Sequence, residues 1–200
     1  MSNVFVQMSM SLDGYIAGPN DSDVNPLGDG GEQLHQWMSG GGEGGPGEGQ
    51  TGVDKDIFDE LRSDTGAMIS GRRLYDITHG WNGAHPFGGV PVFVVTREVP
   101  EEIPSGATPF TFVTAGIAAA LAQATEAAGS KSVYVIGGAS IDQQLLDAGL
   151  VDELRIDVIP ILLGGGIQLF GTLQGAPIGL TQVGVKPSRD VTHLRYRLTR

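Results

Sequence analysis

The sequence predicts an α/β fold: a three-layer α/β/α sandwich with a mostly parallel central sheet and an antiparallel hairpin at its C-terminal edge. Three observations carry that expectation. Short β-branched apolar runs alternate with amphipathic stretches along most of the 200 residues, the rhythm of βαβ units. One run, VPVFVVT (90–96), is apolar at consecutive positions, as a strand covered on both faces must be. The last two runs, GLTQVGVK (179–186) and VTHLRYRLT (191–199), alternate apolar and polar residues, as paired antiparallel strands do. No repeat or linker separates two cores, so residues 1–200 read as one domain.

The elements follow in order. NVFVQM (3–8) is a buried strand, and Asp13-Gly14 is a turn signal. GEQLHQWM (31–38) is a short helix with Leu34, Trp37 and Met38 on one face. Residues 40–52 (GGGEGGPGEGQTG) read as a flexible loop, since so many glycines leave the chain little to pack. DKDIFDELR (54–62) is a helix carrying Ile57, Phe58 and Leu61, with acidic residues at its positive end. AMIS (67–70) is a short strand running into Gly71-Arg72-Arg73. GIAAALAQATEAA (116–128) is an alanine-rich helix closed by Gly129. SVYVIGG (132–138) is a strand, and SIDQQLLDAG (140–149) is a helix with Ser140 as its N-cap. LRIDVIPILLGGG (154–166) is a strand broken near Pro160.

Charge and composition narrow the function. Twelve Lys+Arg against 23 Asp+Glu give a net charge of −11. Such a chain has no basic stripe for a nucleic-acid backbone and no attraction to an anionic membrane. Cysteine is absent, which excludes disulfides, thiol catalysis and Cys-ligated zinc. No apolar run is long enough to span a membrane and the N-terminus lacks the look of a signal peptide, so a cytoplasmic protein is the expectation. His35, His79, His85 and His193 show no metal-ligand spacing, so no metal is expected. His79 and His85 read as solvated residues of a loop near the cleft, and Met8 and Met10 as core packing. No GxSxG elbow points to a serine hydrolase.

In a parallel sheet, ligands bind beyond the carboxyl ends of the strands. Three motifs fall there: Gly71-Arg72-Arg73, Thr96-Arg97, and Gly137-Gly138-Ala139-Ser140. The glycines let backbone approach a diphosphate, and a helix start supplies N–H donors. Arginines grip a terminal phosphate through paired hydrogen bonds. A tight turn with surface ion pairs is the alternative from spacing alone.

Taken together, SLDGYIAG (11–18), ISGRRLYD (69–76), VFVVTRE (92–98), VYVIGGASIDQQLL (133–146) and PILLGGGIQLF (160–170) resemble the dihydrofolate reductase superfamily. They are most similar to the reductase domain of the bifunctional riboflavin-pathway deaminase–reductase and its stand-alone relatives. The resemblance implies a dihydrofolate reductase-like fold, NADPH as hydride donor, a small-molecule substrate and a homodimer. It implies that Gly71, Arg72 and Arg73, with Val95, Thr96 and Arg97, hold the adenosine 2′-phosphate. Ile136, Gly137, Gly138, Ala139, Ser140 and Ile141 would hold the diphosphate and pass near the nicotinamide. Ser9, Ile16 and Ala17 would contact the nicotinamide amide.

The proton donor is open. Relatives that reduce dihydrofolate carry a carboxylate on the first helix; here Glu32 fits by chemistry and Gln33 by position. Asp13 either caps its turn or borders the nicotinamide as an acid. Trp37, Tyr75 and Trp81 either form an aromatic wall over a flat heterocyclic substrate or pack in the core. No second basic cluster marks a seat for a ribosyl phosphate. The reading is an NADPH-dependent reductase of a pterin-like, pyrimidine-like, carbonyl or imine substrate; the alternative is an NADP(H)-binding protein without turnover, a sensor or binding module.

Overall fold

The computed structural model describes residues 2–40, 49–171 and 173–199. Most of the Gly-rich stretch, residues 41–48, lies outside the described residues, and so does the flexible-loop expectation for it.

The parallel sheet begins with β1 (Val4–Ser11). Its other parallel members are β3 (Thr65–Gly71), β4 (Val92–Val95), β5 (Phe110–Val113), β6 (Ser132–Gly137) and β7 (Glu153–Ile159). β9 (Gly179–Pro187) and β10 (Thr192–Thr199) close the far edge as an antiparallel hairpin, β10 against β7. The order across the eight strands is β5-β4-β3-β6-β1-β7-β10-β9. A small second pair joins β2 (Tyr15–Ala17) to β8 (Ile167–Gln168). Helices α1 (Gly52–Asp64), α2 (Arg72–Ile77), α3 (Ile117–Ala128) and α4 (Ala139–Asp147) complete the sandwich.

The α3 and α4 side is a large apolar core built on Val4, Val6, Ile69, Val133, Val135, Leu145 and Ile156. Ala120, Ala124 and Ala128, spaced by four, form one small-residue face of α3 that meets this core. Gly129 follows at φ +60°, the left-handed end that glycine adopts without strain. The opposite side packs Phe5, Met68, Val92, Val94 and Tyr134 under Leu61 of α1.

The structure refines the predicted elements. The stretch at 31–38 is a 3₁₀ helix, Gly31–Ser39, bounded by left-handed Gly30 and Gly40, and still buries Leu34 and Trp37. The strand from Leu154 stops at Ile159, just before Pro160, since proline lacks the N–H a ladder needs. Gly138, not Ser140, is the N-cap of α4; Ser140 lies within the first turn, where its Oγ accepts from Gln144 Nε2 at 3.1 Å. The helix α2 and the edge strand β5 carry weak periodicity and emerge only in three dimensions.

Candidate functional site

The carboxyl ends of β1, β3, β4 and β6 open into one cleft of about 930 Å³. Residues of the three strand-end motifs converge on it: Gly71, Arg72 and Arg73 from the start of α2, Val95, Thr96 and Arg97 after β4, and Ile136, Gly138, Ala139, Ser140 and Ile141 around the start of α4. Ile16 and Ala17 of β2 line its other wall, with Met8, Leu27 and His35.

Close packing explains the glycines. A Cβ on Gly71 would stand 2.9 Å from Ile141 Cγ1, so α4 seats against β3 only without one. Gly137, at φ +88°, would drive a Cβ to 2.6 Å from Met8 Cε; it supports the turn from below and does not itself line the cleft. A Cβ on Gly138 would meet nothing within 4 Å, so open space lies beside this residue in the cleft lining. Within α4 the first backbone donors to find a partner are Ile141 and Asp142, both to the Gly138 carbonyl. The N–H groups before them face the cleft end of the helix, where the dipole favours an anion.

The three arginines differ in availability. Arg72 is committed: its Nε donates to Asp76 Oδ1 at 2.7 Å, and its Nη1 to the Glu98 carbonyl at 2.8 Å and Thr96 Oγ1 at 3.3 Å. It ties α2 to the segment after β4. Arg73 reaches across the cleft to the carboxylate of Asp21. Arg97 is exposed and makes no ion pair among the described residues.

Several predicted site residues lie elsewhere. Ser9 is buried and accepts from Trp37 Nε1 at 2.9 Å, away from the cleft lining. Trp37 packs edge-on against His193, and Tyr75 packs edge-on against Phe110 and Phe112. Trp81 stacks beside His85 and Phe110. Tyr75 and Trp81 thus share Phe110 while Trp37 packs in another cluster, and none of the three lines the cleft as an aromatic wall would. Glu32 is exposed outside the cleft, and the neighbouring Gln33 side chain bonds the Gly30 carbonyl. Asp13 accepts from Ser11 Oγ at 2.6 Å, from Leu163 N at 3.1 Å and from Gly164 N at 2.7 Å. The Ser11 hydrogen bond, with those of the Gly164 and Leu163 amides, holds its carboxyl below the usual range. It is an anionic clasp for the 161–166 loop, and a poor acid. His85 is not a solvated histidine of the cleft: it sits between Trp81 and Phe87, and burial pushes it down to about 4.

Two features escaped sequence reasoning. His35, on the 3₁₀ helix, is half-buried at the cleft wall; burial lowers its pKa while Asp157 opposes the shift. Behind it lies a buried network. His193 Nδ1 meets Asp157 Oδ1 at 2.6 Å and His193 Nε2 meets Asp54 Oδ1 at 3.0 Å, while Gln7 Nε2 donates to Asp157 Oδ2 at 2.9 Å. The signal was present in β1, where polar Gln7, Ser9 and Ser11 alternate with apolar residues and so share one face. Among the described residues no group of acidic, His and Cys side chains could hold a metal ion, and no helix is long and apolar enough to cross a membrane.

The family model for the RibD C-terminal domain matches residues 2–194. The chain belongs to the RibD C-terminal domain family. A 68-residue stretch is 38% identical to the riboflavin biosynthesis protein RibD of Bacillus amyloliquefaciens; it covers 34% of this chain and 16% of that protein. A crystal structure from Shewanella sp. PV-4, assigned provisionally to riboflavin biosynthesis, superposes with a TM-score of 0.72 at 25% identity over 99% of both chains. The dihydrofolate reductase of Enterococcus faecalis, solved with NADP(H) bound, superposes with a TM-score of 0.58 at 12% identity, covering 99% of this chain and 97% of that one. The RibD C-terminal domain therefore has a dihydrofolate reductase-like fold here, and family and fold together support a reductase-type activity.

Proposed function

We propose that the protein is an NADPH-dependent reductase of a small heterocyclic, carbonyl or imine substrate. The observation that carries the reading is the ordering of groups along one cleft. The strands that carry the lining lie in the order β4, β3, β6, β1, so Arg97 and Arg73 come first, Gly138 and the start of α4 next, and Met8 of β1 with Ile16 and His35 beside it last. That sequence matches a dinucleotide with a terminal phosphate, a diphosphate and a flat ring.

A bound nicotinamide would supply the hydride. The chain would grip and orient: Arg97 and Arg73 on the 2′-phosphate, the α4 amides on the diphosphate, and Ile16 and Ala17 against the ring. His35 replaces Glu32 and Asp13 as the group to handle a proton, because it alone of these lines the cleft. Its lowered pKa keeps a neutral imidazole near neutral pH, able to pass a proton from solvent to substrate.

Calorimetric titration with NADPH and with NADH tests the cofactor. Arg97→Ala should weaken NADPH binding about five- to tenfold and leave NADH within twofold; equal affinities for NADPH before and after would overturn the phosphate assignment. Oxidation of NADPH is then followed against pterin, pyrimidine, quinone and imine substrates in wild type and His35→Gln. The second reading, dinucleotide binding without turnover, is favoured by one observation: neither candidate carboxylic acid, Asp13 or Glu32, lines the cleft. NADPH binding with no oxidation across that panel would select it.

A further inference from the structure

We infer that Asp21 sets the cofactor selectivity of the cleft, by occupying the guanidinium of Arg73 that a ligand's terminal phosphate must take. The inference rests on the dinucleotide reading above and adds a residue that the cofactor loops do not contain.

Residues 18–30 form a loop braced on itself. Gly18 N donates to the Leu27 carbonyl and Asp29 N to the Pro19 carbonyl, both at 2.8 Å. The side-chain amides of Asn20 and Asn25 both donate to the Asp29 carboxylate. The base of the loop is packed backbone against backbone, Gly18 against Asp29 and Gly28 against Gly18, leaving no room for a Cβ at either glycine. A loop so braced moves as one piece, and Asp21 sits next to the turn at left-handed Asn20. From there its carboxylate meets Arg73 on the facing wall. Both residues line the cleft. The side chain of Asp21 is 18% exposed and that of Arg73 61%, so the arginine extends from α2 to a carboxylate held in the loop. Neither side chain has another hydrogen-bond or ion-pair partner among the described residues.

The three arginines are thus graded for an incoming phosphate. Arg72 is built into the wall by three acceptors, Arg97 is open, and Arg73 is held by one carboxylate. A phosphate monoester carries nearly two charges and can take two guanidinium N–H groups, whereas Asp21 carries one charge and meets Arg73 through Nη2 alone, so the phosphate outcompetes it. A ligand without that phosphate does not compete for Arg73 and binds with the loop still strapped to α2, so Asp21 costs affinity for NADPH alone and narrows its advantage over NADH. The 2′-phosphate of NADPH exchanges with Asp21 on Arg73 and frees the strap; NADH leaves it in place.

The test is a set of calorimetric titrations of NADPH and NADH into wild type, Asp21→Asn, Arg73→Ala and the double variant. Asp21→Asn should bind NADPH about three- to fivefold more tightly and NADH within twofold of wild type, the scale of one partly exposed ion pair. Arg73→Ala should weaken NADPH and erase the gain from Asp21→Asn in the double variant. An unchanged or weaker NADPH affinity in Asp21→Asn, or an equal gain for NADH, overturns the competition. Wild type that binds neither nucleotide overturns the cofactor reading instead. The strap has its own readout without nucleotide: in a chain free of cysteine, the distance between spin labels placed through Val24→Cys and His79→Cys should broaden in Asp21→Asn and Arg73→Ala alike, and an unchanged distance distribution in both variants refutes it.

Discussion

The two faces of the central sheet are built from the same strands on opposite principles. Towards α3 and α4, Val4, Val6, Val133, Val135, Leu154 and Ile156 meet apolar partners in one continuous core. Towards α1 and the 3₁₀ helix, the alternate positions of β1, β7 and β10 are Gln7, Arg155, Asp157, His193 and Arg195, with Gln7, Arg155, Asp157 and His193 buried. There Arg155 lies over the ring of Phe5 at 4.0 Å and pairs with Glu153, and Asp157 is held by His193 and Gln7. Apolar burial stabilises in proportion to area. Buried charges must first be stripped of water, and pairing repays that cost without much surplus. The first face therefore supplies stability, while the second holds a fixed electric field beside His35 and the cleft. One residue breaks the pattern: Asp142 of α4 is fully buried beneath Gly137 with both carboxylate oxygens unpartnered.

That contrast can be broken by substitution. The largest effect is expected from His193→Leu, which leaves Asp157 buried with only Gln7; the loss should be about 3–5 kcal/mol in urea unfolding at acidic to neutral pH. Adding Asp157→Leu should recover much of it, because no stranded charge then remains. The pH dependence carries a definite sign. Burial alone would lower the pKa of His193, but the hydrogen bond and charge of Asp157, with those of Asp54, outweigh burial and raise it. Its stabilising contribution is then full below the unfolded value of about 6.5 and falls away as pH rises through the folded value. Unfolding measured across that window should lose this slope in His193→Leu; a slope that persists would assign it to another group.

On the apolar face, Leu145→Ala should cost about 2–5 kcal/mol through the cavity it leaves, and the cost should not vary with pH. The smallest change should be a gain. Burial raises the carboxyl of Asp142 well above its ordinary range, so the folded state retains a proton that the unfolded chain releases above a pH of about 3.9. Stability is therefore lost as pH rises past that point. Asp142→Asn should stabilise the protein at neutral pH by about 1–3 kcal/mol, or roughly 2–4 °C in Tm per kcal/mol, and the difference should vanish below pH 4. A loss of stability at neutral pH would show that Asp142 is ionised and satisfied in the folded protein.

Much of the cleft was legible before folding. Gly71, Arg72, Arg73, Thr96, Arg97, Gly138, Ala139 and Ser140 are short motifs at strand ends, and a parallel sheet brings its strand ends together. The side proposed to handle the proton was not. Glu32 and Asp13 looked suitable by chemistry, yet one faces solvent and the other is saturated by Ser11, Leu163 and Gly164. His35 was passed over because a single histidine on a short helix has no spacing to mark it. The aromatic residues misled for a related reason: Trp37, Tyr75 and Trp81 are large enough to suit either a ligand or a core.

The alternation of strands and helices, the antiparallel closing hairpin and the glycine and arginine loops are written into the chain itself. Those features depend on local periodicity and on turn chemistry within a few residues. The assembled fold settled which arginine is open, which is built into the wall and which is held by Asp21, 52 residues away in the chain. It also decided that Asp157, His193, Asp54 and Gln7 share one buried network. The physical reason is that the availability of a charged group depends on the partners that reach it, and those partners arrive from distant segments only when the sheet is assembled.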